Sequence, residues 1–584
     1  MINFEAARTE AYDGLALTNT IEKLITPIKS KLGVTTNKEL WQVTVEIPLG
    51  DAVKDFILIL DLRNDFPLSL PEVYLSEKDY DAIKYIPHVS DKRNICLFDQ
   101  ENIKIDAERP ADIARACLNR AVKIISKGVN KINSTDFKDE IVAYWSNTYH
   151  SKDVVVNGYL SDGTSTLLPG KISVHYLSPS YHNTNLFFGT ETEDSKKVLD
   201  FFKLRGHRID KYDAFYLGTI DTLEPDFYFD NKRLLLFIKE NFSSLWPQVK
   251  TYLNQGLGPK TFIFSMEVDE EQIFFGFYLH PFKTNLKGWR TQSLSAVQIM
   301  SKVQPTQPVT RVTFTFFSYE RIRKRTDGVL NQLAPWKFMV AGLGSIGSNL
   351  LFYLSTLEVS NFILVDPEIL QLENINRHLL SFHEVGQNKV DAVGNYLTYN
   401  NPFLNIDKYP ASVVNVIQRQ LTAINEMDLI FCAIGKDAIE SYVLQCLSEG
   451  KIIKPIVLLW VEPYLLGAHI LYINPLSEFK LKDLEIEGYY QYNIISKETY
   501  SDPEKQLLLR EAGCQGSYTP YGKEAIVRFF AAFIPELFSL IKNKPATNMR
   551  LTYAGDYSVA APNGLKISEF GKQLIPNQLV KHTL

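Results

Sequence analysis

The sequence predicts three successive regions: an α+β domain over residues 1–150, a β-rich domain over 151–320, and an α/β domain with a mostly parallel sheet over 321–584. Three patterns lead to this reading. From about residue 331, apolar strand-like runs alternate with helical ones, the signature of a sheet covered by helices. Between 151 and 330, short runs rich in Val, Ile, Phe and Tyr recur without helical spacing. Before 151, proline-punctuated strands precede two helices.

The first region opens with a helical pattern, IEKLITPIKSKL, followed by strand-like WQVTVEIPLG and DFILILDL. A loop, DFPLSLPEVYL, and an irregular segment, IPHVSDKRNICLFDQ, lead to the helices PADIARACLNRAVKIISKG and FKDEIVAYWSN. The middle region contains KISVHYL, NLFFG, AFYLG, TFIFSMEV, QIFFGFYL and VTRVTFTFF, with a hairpin turn at DEE, and shows no chemistry of its own. In the last region the runs KFMVAGLGSIGSNLLFYLSTL, NFILVD, DLIFCAIG and KPIVLLWVEP alternate with helices. KEAIVRFFAAFIPELFSLIKN reads as a core or dimer-interface helix.

The 584 residues carry 62 Lys and Arg against 67 Asp and Glu, a net charge of −5 that offers no polybasic field for nucleic acid. No apolar run approaches the roughly 18 residues a membrane span needs, and the N-terminus lacks the pattern of a secretory signal, so a cytoplasmic setting with no membrane partner is expected. The five cysteines, Cys96, Cys117, Cys432, Cys446 and Cys514, form no C-x-x-C pair, which argues against a cysteine zinc site or a disulfide framework. Cys117, Cys432 and Cys446 sit in apolar contexts that favour inert packing. Cys514, in REAGCQGSYTPYG, reads as a loop residue.

Gly342, Gly344 and Gly347 have G-x-G-x-x-G spacing between an apolar strand and a helix, so backbone amides there can approach phosphate oxygens. Asp366, 19 positions after Gly347, ends the next strand, where its carboxylate can accept from ribose hydroxyls. These features alone suit NAD. Asn374, Arg377 and Lys389 follow, and the extra cations favour ATP, whose triphosphate carries more charge to neutralise.

GLGSIGS, LVD, ENINRH and GQNKVDA together resemble the adenylation domain shared by ubiquitin-activating enzymes and the bacterial ThiF and MoeB proteins, over roughly residues 320–545. The resemblance implies a Rossmann-like fold and ATP with Mg, the glycines and Asn374, Arg377 and Lys389 on the phosphates, and Asp366 on the ribose. The family's magnesium-binding aspartate falls near Gly435 in this register, with Asp437 two places later as the candidate ligand. An arginine from the opposite subunit of a homodimer completes such sites; of Arg321, Arg323 and Arg325, Arg325 is favoured. Cys514 matches the acyl-accepting cysteine.

His88, Ile95, Cys96 and Leu97 resemble the acceptor region of ubiquitin-conjugating enzymes, which implies such a fold for residues 1–150. A His-Pro-Asn tripeptide is absent, Asn94 lies nearby, and His88 is read either as a turn residue or as a catalytic one. The three parts in order resemble the fused activating and conjugating enzyme of bacterial CBASS antiphage operons. That resemblance implies a relay from adenylate to Cys514 to Cys96 and on to target lysines, with the C-terminus of a cGAS-like nucleotidyltransferase as acyl donor. A NAD-dependent oxidoreductase and a catalytically inactive scaffold are the alternative readings.

Overall fold

The computed structural model describes residues 3–24, 39–50, 52–83, 86–90, 92–98, 103–133, 136–146, 155–160, 167–178, 185–188, 193–223, 228–256, 258–268, 271–282, 294–317, 335–357, 359–475, 477–502, 507, 509–510, 517–518 and 520–584. The chain forms two compact units, Met1–Ser318 and Tyr319–Leu584. The first unit takes in the α+β and β-rich regions together.

The first unit starts with a helix, Phe4–Ala16, that the sequence reading passed over. Asn3 caps it by accepting from the Ala6 amide at 3.1 Å, and Ala7, Ala11 and Leu15 form its buried stripe. Small residues permit close packing on the helix Pro110–Val129, where a Cβ on Gly14 would lie 2.8 Å from that of Ala111. The helix expected from IEKLITPIKSKL is not formed at its start. Ile21, Glu22 and Lys23 instead belong to an edge strand, Thr20–Lys23, paired antiparallel with Glu39–Leu49. Four residues of mixed polarity carry little periodic signal, and sheet pairing decides their conformation.

Five antiparallel strands follow the order Thr20–Lys23, Glu39–Leu49, Ala52–Leu62, Glu72–Leu75, Asn94–Ile95. Trp41, Val43 and Val45 face Leu60, Leu58 and Phe56 across the strands, Ile47 and Leu62 extend the same buried face, and the helix Pro110–Val129 covers them with Ile113, Cys117, Ala121 and Ile124. Cys96 follows the last short strand directly.

The β-rich region closes into a seven-stranded barrel, running from Lys260–Val268 through Glu271–Leu279, Thr310–Phe316, Val155–Leu160, Asn185–Phe188 and Gly170–Ser178 to Arg208–Ile220. Its core also takes in Ile141, Tyr144 and Trp145 from the helix Ile141–Ser146, which the sequence reading placed in the first domain. The Trp145 ring is fully buried, 5.2–6.0 Å from the rings of Phe229, Phe264, Phe275 and Phe277. Its indole N–H donates to the Val312 carbonyl at 2.9 Å, and buried Arg311 donates to the Trp145 carbonyl at 2.8 Å.

In the second unit eight strands form one sheet, ordered Asn405–Tyr409, Asn361–Val365, Lys337–Ala341, Leu429–Cys432, Ile456–Val461, Gly467–Ile473, Met549–Ala554, Gln578–Thr583. The first five are parallel, as expected; the last three pair antiparallel. One face is covered by the helices Ser345–Thr356, Lys389–Asn400 and Lys523–Asn543, the last through Ile526, Phe529, Phe533 and Leu537. The other is covered by Val413–Asn425 and Asp437–Ser448. No helix among the described residues is long and apolar enough to cross a membrane.

Trp145→Ala is expected to destabilise the first unit by about 3–5 kcal/mol, because it removes a large buried ring and leaves a cavity. Urea denaturation should show a lower midpoint at unchanged slope.

Candidate active site

The chain leaves Lys337–Ala341 to form neighbours on one side, Asn361–Val365, and then returns to form Leu429–Cys432 on the other. This reversal opens a crevice beyond the carboxyl ends of the strands, where α/β sheets bind ligands. Gly342 turns there with φ +88, and a Cβ on it would stand 2.5 Å from the Ala433 carbonyl oxygen. A Cβ on Gly347 would stand 1.8 Å from the Gly342 oxygen. Gly344 precedes the helix Ser345–Thr356 with open space where its Cβ would be, so the unpaired first-turn amides face a site that an anion can reach.

Asp366 is buried at the end of Asn361–Val365. Its Oδ2 accepts from the Leu343 amide at 2.6 Å and its Oδ1 from the Glu368 amide at 2.8 Å. Burial pushes its carboxyl above the usual range, against the opposing pull of Lys389 and these amides. With Gly342, Gly344 and Lys436 it lines a cavity of about 100 Å³. Lys389, first residue of its helix and buried, donates to Glu368 at 2.7 Å, and Lys436 lies 3.7 Å from the same carboxylate. The hydrogen bond from Lys389 holds the Glu368 carboxyl below its ordinary value.

Asn374 and Arg377 lie in the loop that wraps the start of the helix Ser345–Thr356. Asn374 Oδ1 accepts from the Gln371 amide at 3.0 Å, and the Arg377 carbonyl accepts from Ser345 Oγ at 2.9 Å and Asn349 Nδ2 at 3.1 Å. The Arg377 guanidinium lies 5.7 Å from the Tyr521 ring centre. His378, quoted within ENINRH but given no role by the sequence, straps the glycine turn. It is fully buried; its Nδ1 accepts from the Leu380 amide at 3.1 Å, so Nε2–H donates to the Leu343 carbonyl at 2.8 Å. Burial lowers its pKa to about 4 and keeps the ring neutral.

Beyond Cys432 the chain turns at Gly435, φ +66, into the helix Asp437–Ser448. Asp437, exposed at its first position, lines a larger cavity of about 690 Å³ that shares Gly344, Ala433 and Ile434 with the smaller one. Glu440, not foreseen from sequence, is buried on the same wall; it accepts from the Gly435 amide at 2.9 Å, and burial raises its pKa to about 7. Across the cavity, Glu462 fixes the far wall by accepting from the amides of Ile494 at 2.6 Å and Ile495 at 2.8 Å and from buried His469 at 2.8 Å. No group of three or more His, Cys, Asp or Glu among the described residues could hold a metal ion by itself. Magnesium bound to nucleotide needs only one or two carboxylates besides the phosphates, a donor set that Asp437 fits.

Cys514 and Arg325, with Arg321 and Arg323, lie outside the described residues. Cys117, Cys432 and Cys446 are buried, and burial raises the Cys117 thiol to about 12 and the Cys432 thiol further. Cys96 is exposed. Its amide donates to the His88 carbonyl at 2.8 Å, while the His88 ring faces Glu140 at 2.6 Å and Asp136 at 3.2 Å. Asn94 stands opposite Tyr74 across the last two strands of the sheet. The two carboxylates around His88 were also not foreseen.

Residues 319–454 match the ThiF family. Residues 21–154 match Prokaryotic E2 family B. The Adenylyltransferase and sulfurtransferase UBA4 of Candida albicans is 27% identical over 119 residues, which are 20% of this chain and 27% of that protein. The Ubiquitin-like modifier-activating enzyme 5 of Bombyx mori is 31% identical over 99 residues, 17% of this chain and 22% of its own length. The chain thus spans about a quarter of the length of these curated relatives. The crystal structure of E. coli MccB with SeMet MccA aligns at 15% identity and a TM-score of 0.29, over 39% of this chain and 62% of that one. The chain therefore carries a Rossmann-like ThiF domain in its C-terminal part and an E2-like domain at its N-terminus.

In the ThiF domain, Gly347→Ala should weaken ATP binding at least about tenfold, since the methyl group must displace the Gly342 carbonyl; calorimetric titration with ATP checks this. The depressed pKa of His378 has a second consequence. Its contribution to stability is complete above about pH 6.5, the unfolded value, and is lost as pH falls toward about 4. Thermal melts of wild type and His378→Gln should converge over that interval.

Proposed function

We propose that this chain activates a protein C-terminal carboxylate with ATP and passes it, as a thioester, from Cys514 to Cys96 and then to target lysines. The observation that carries the reading is the open helix N-terminus at Gly344 beside Asp366, in a chain that also bears an exposed thiol on an E2-like domain. The match to the ThiF family and the likeness to an adenylyltransferase and a modifier-activating enzyme support it.

A carboxylate resists attack by a thiol until its oxygen becomes a leaving group. Its oxygen attacks the α-phosphorus of ATP, the bond from that phosphorus to the bridging oxygen breaks, and pyrophosphate departs. The first-turn amides after Gly344 hold phosphate oxygens, and Asn374, Arg377 and Lys389 meet the charge that builds during displacement. Asp366 accepts from the ribose. Glu368 holds Lys389 at the mouth of the site, where its ammonium can meet a phosphate. Asp437 would hold Mg together with the phosphates, and the ion would neutralise charge on the departing pyrophosphate. Arg325 of a second copy in a homodimer completes the cluster.

The Cys514 thiolate then attacks the acyl carbon; the C–S bond forms, the C–O bond breaks and AMP leaves. Attack by the Cys96 thiolate releases Cys514 in a nearly isoenergetic exchange. A lysine amine finally forms the amide, loses a proton and frees Cys96. Following the resemblance of the whole arrangement, the donor is the C-terminus of a cGAS-like nucleotidyltransferase and the setting is cytoplasmic antiphage defence of the CBASS type.

With such a donor, labelled pyrophosphate should exchange into ATP, and Arg377→Ala should slow the exchange on the order of 10²-fold. On non-reducing gels Cys514→Ser should lose every thiol-sensitive adduct while exchange persists, and Cys96→Ser should hold the acyl group on Cys514. An adduct that survives both substitutions, or reduction of NAD by the protein, would overturn the proposal.

A further inference from the structure

Cys96 sits on a loop whose conformation is set by a segment anchored in the barrel core. Its amide donates to the His88 carbonyl, and His88 adopts φ +66, a left-handed conformation that costs a non-glycine residue of order 1–3 kcal/mol unless its surroundings enforce it. The enforcing groups come from residues 136–146. The His88 amide donates to Tyr144 Oη at 2.7 Å and to Glu140 Oε2 at 3.1 Å; its ring reaches Glu140 through Nδ1 at 2.6 Å and Asp136 through Nε2 at 3.2 Å. Tyr144 donates to Glu140 at 2.8 Å, and Asn133 donates to Asp136 at 3.1 Å. The helix Ile141–Ser146, which begins directly after Glu140, carries Tyr144 and Trp145 into the barrel core.

We propose that this helix is a strut by which the barrel fixes the Cys96 loop, with Glu140, Tyr144 and His88 as positioning residues for acyl transfer at Cys96. The proposal rests on the reading of Cys96 as an acyl acceptor. In the imidazolium form both ring nitrogens donate to a carboxylate, and that form has no lone pair with which to take a proton from an incoming amine. His88 therefore acts through the loop. The charged groups that act on its ring are Glu140 and Asp136, with Tyr144 on its backbone amide. The hydrogen bond to Glu140 raises its pKa. Burial pushes Glu140 up, but bonds from His88 and Tyr144 outweigh it and leave its carboxyl below the ordinary value. The strut is intact from below pH 4.5 to above 6.5 and loosens as pH rises through the folded pKa of His88.

The test uses the full chain with Glu140→Gln and Tyr144→Phe, the second of which keeps its ring in the barrel core. Three quantities are read by mass spectrometry or gel: amide hydrogen exchange of the segment containing Cys96, the pKa of His88 from deuteration of its ring carbon, and single-turnover loss of acyl group from Cys96 to lysine. Each variant should speed amide exchange in that segment about tenfold and slow transfer about tenfold, the loss of one charge-assisted bond or its support. The helix Pro110–Val129 should exchange as before and pyrophosphate exchange should be unchanged. In Glu140→Gln the His88 pKa should fall toward 6.5, a shift that general loosening of the fold would not produce selectively. Unchanged amide exchange and unchanged His88 pKa would overturn the strut. If wild type never carries an acyl group on Cys96, the acceptor reading fails, while these two readouts still decide the strut.

Discussion

Where the strand order reverses, the Gly342 oxygen occupies the space that any side chain on Gly347 would need, and the Ala433 oxygen occupies the space beside Gly342 itself. Strand, turn and helix are thereby pressed together by backbone contact, with no side chain between them. This proximity brings the amides that open the helix Ser345–Thr356 to the crevice beyond the sheet. Asp366 and His378 grip the intervening Leu343 from its amide and carbonyl sides, so the turn is held at both polar groups of one residue. Every later element of the site is placed relative to that turn.

Around it the charges are already arranged in pairs. Glu368 engages Lys389 and Lys436, Asp366 is met by two amides, and Glu462 is met by two amides and a histidine. Such pairing lowers the cost of keeping ionic groups at low exposure.

Much of this site was legible because glycine spacing, strand ends and cation spacing are local in sequence. Gly342, Gly344 and Asp366 line the crevice, Gly347 packs against the glycine turn, and Asn374, Arg377 and Lys389 lie on the loop and helix that border it. Glu368, Glu440 and Glu462 carried no comparable signal: each owes its importance to a partner brought close by the fold, such as the Gly435 amide for Glu440. His378 lay inside a quoted motif, and only its burial against Leu343 reveals its role. In the first unit six of the seven barrel strands were legible from their aromatic and β-branched runs, and Val155–Leu160 was not singled out. The small-residue stripe of Phe4–Ala16 was not, and the short strand Thr20–Lys23 is decided by its neighbour.

The insertion of Trp145 has a practical bearing on how the N-terminal part could be handled in isolation. Excising it at residue 154, the end of its family match, would strip Tyr144 and Trp145 of the Phe-lined interior that shelters them, turning aromatic surface of about 150–250 Å² per ring toward water. Excising it before residue 136 would remove that liability but discard the carboxylates that clasp His88. A truncated E2-like fragment is thus either sticky or unmoored, and the natural minimal piece is one that retains the whole barrel.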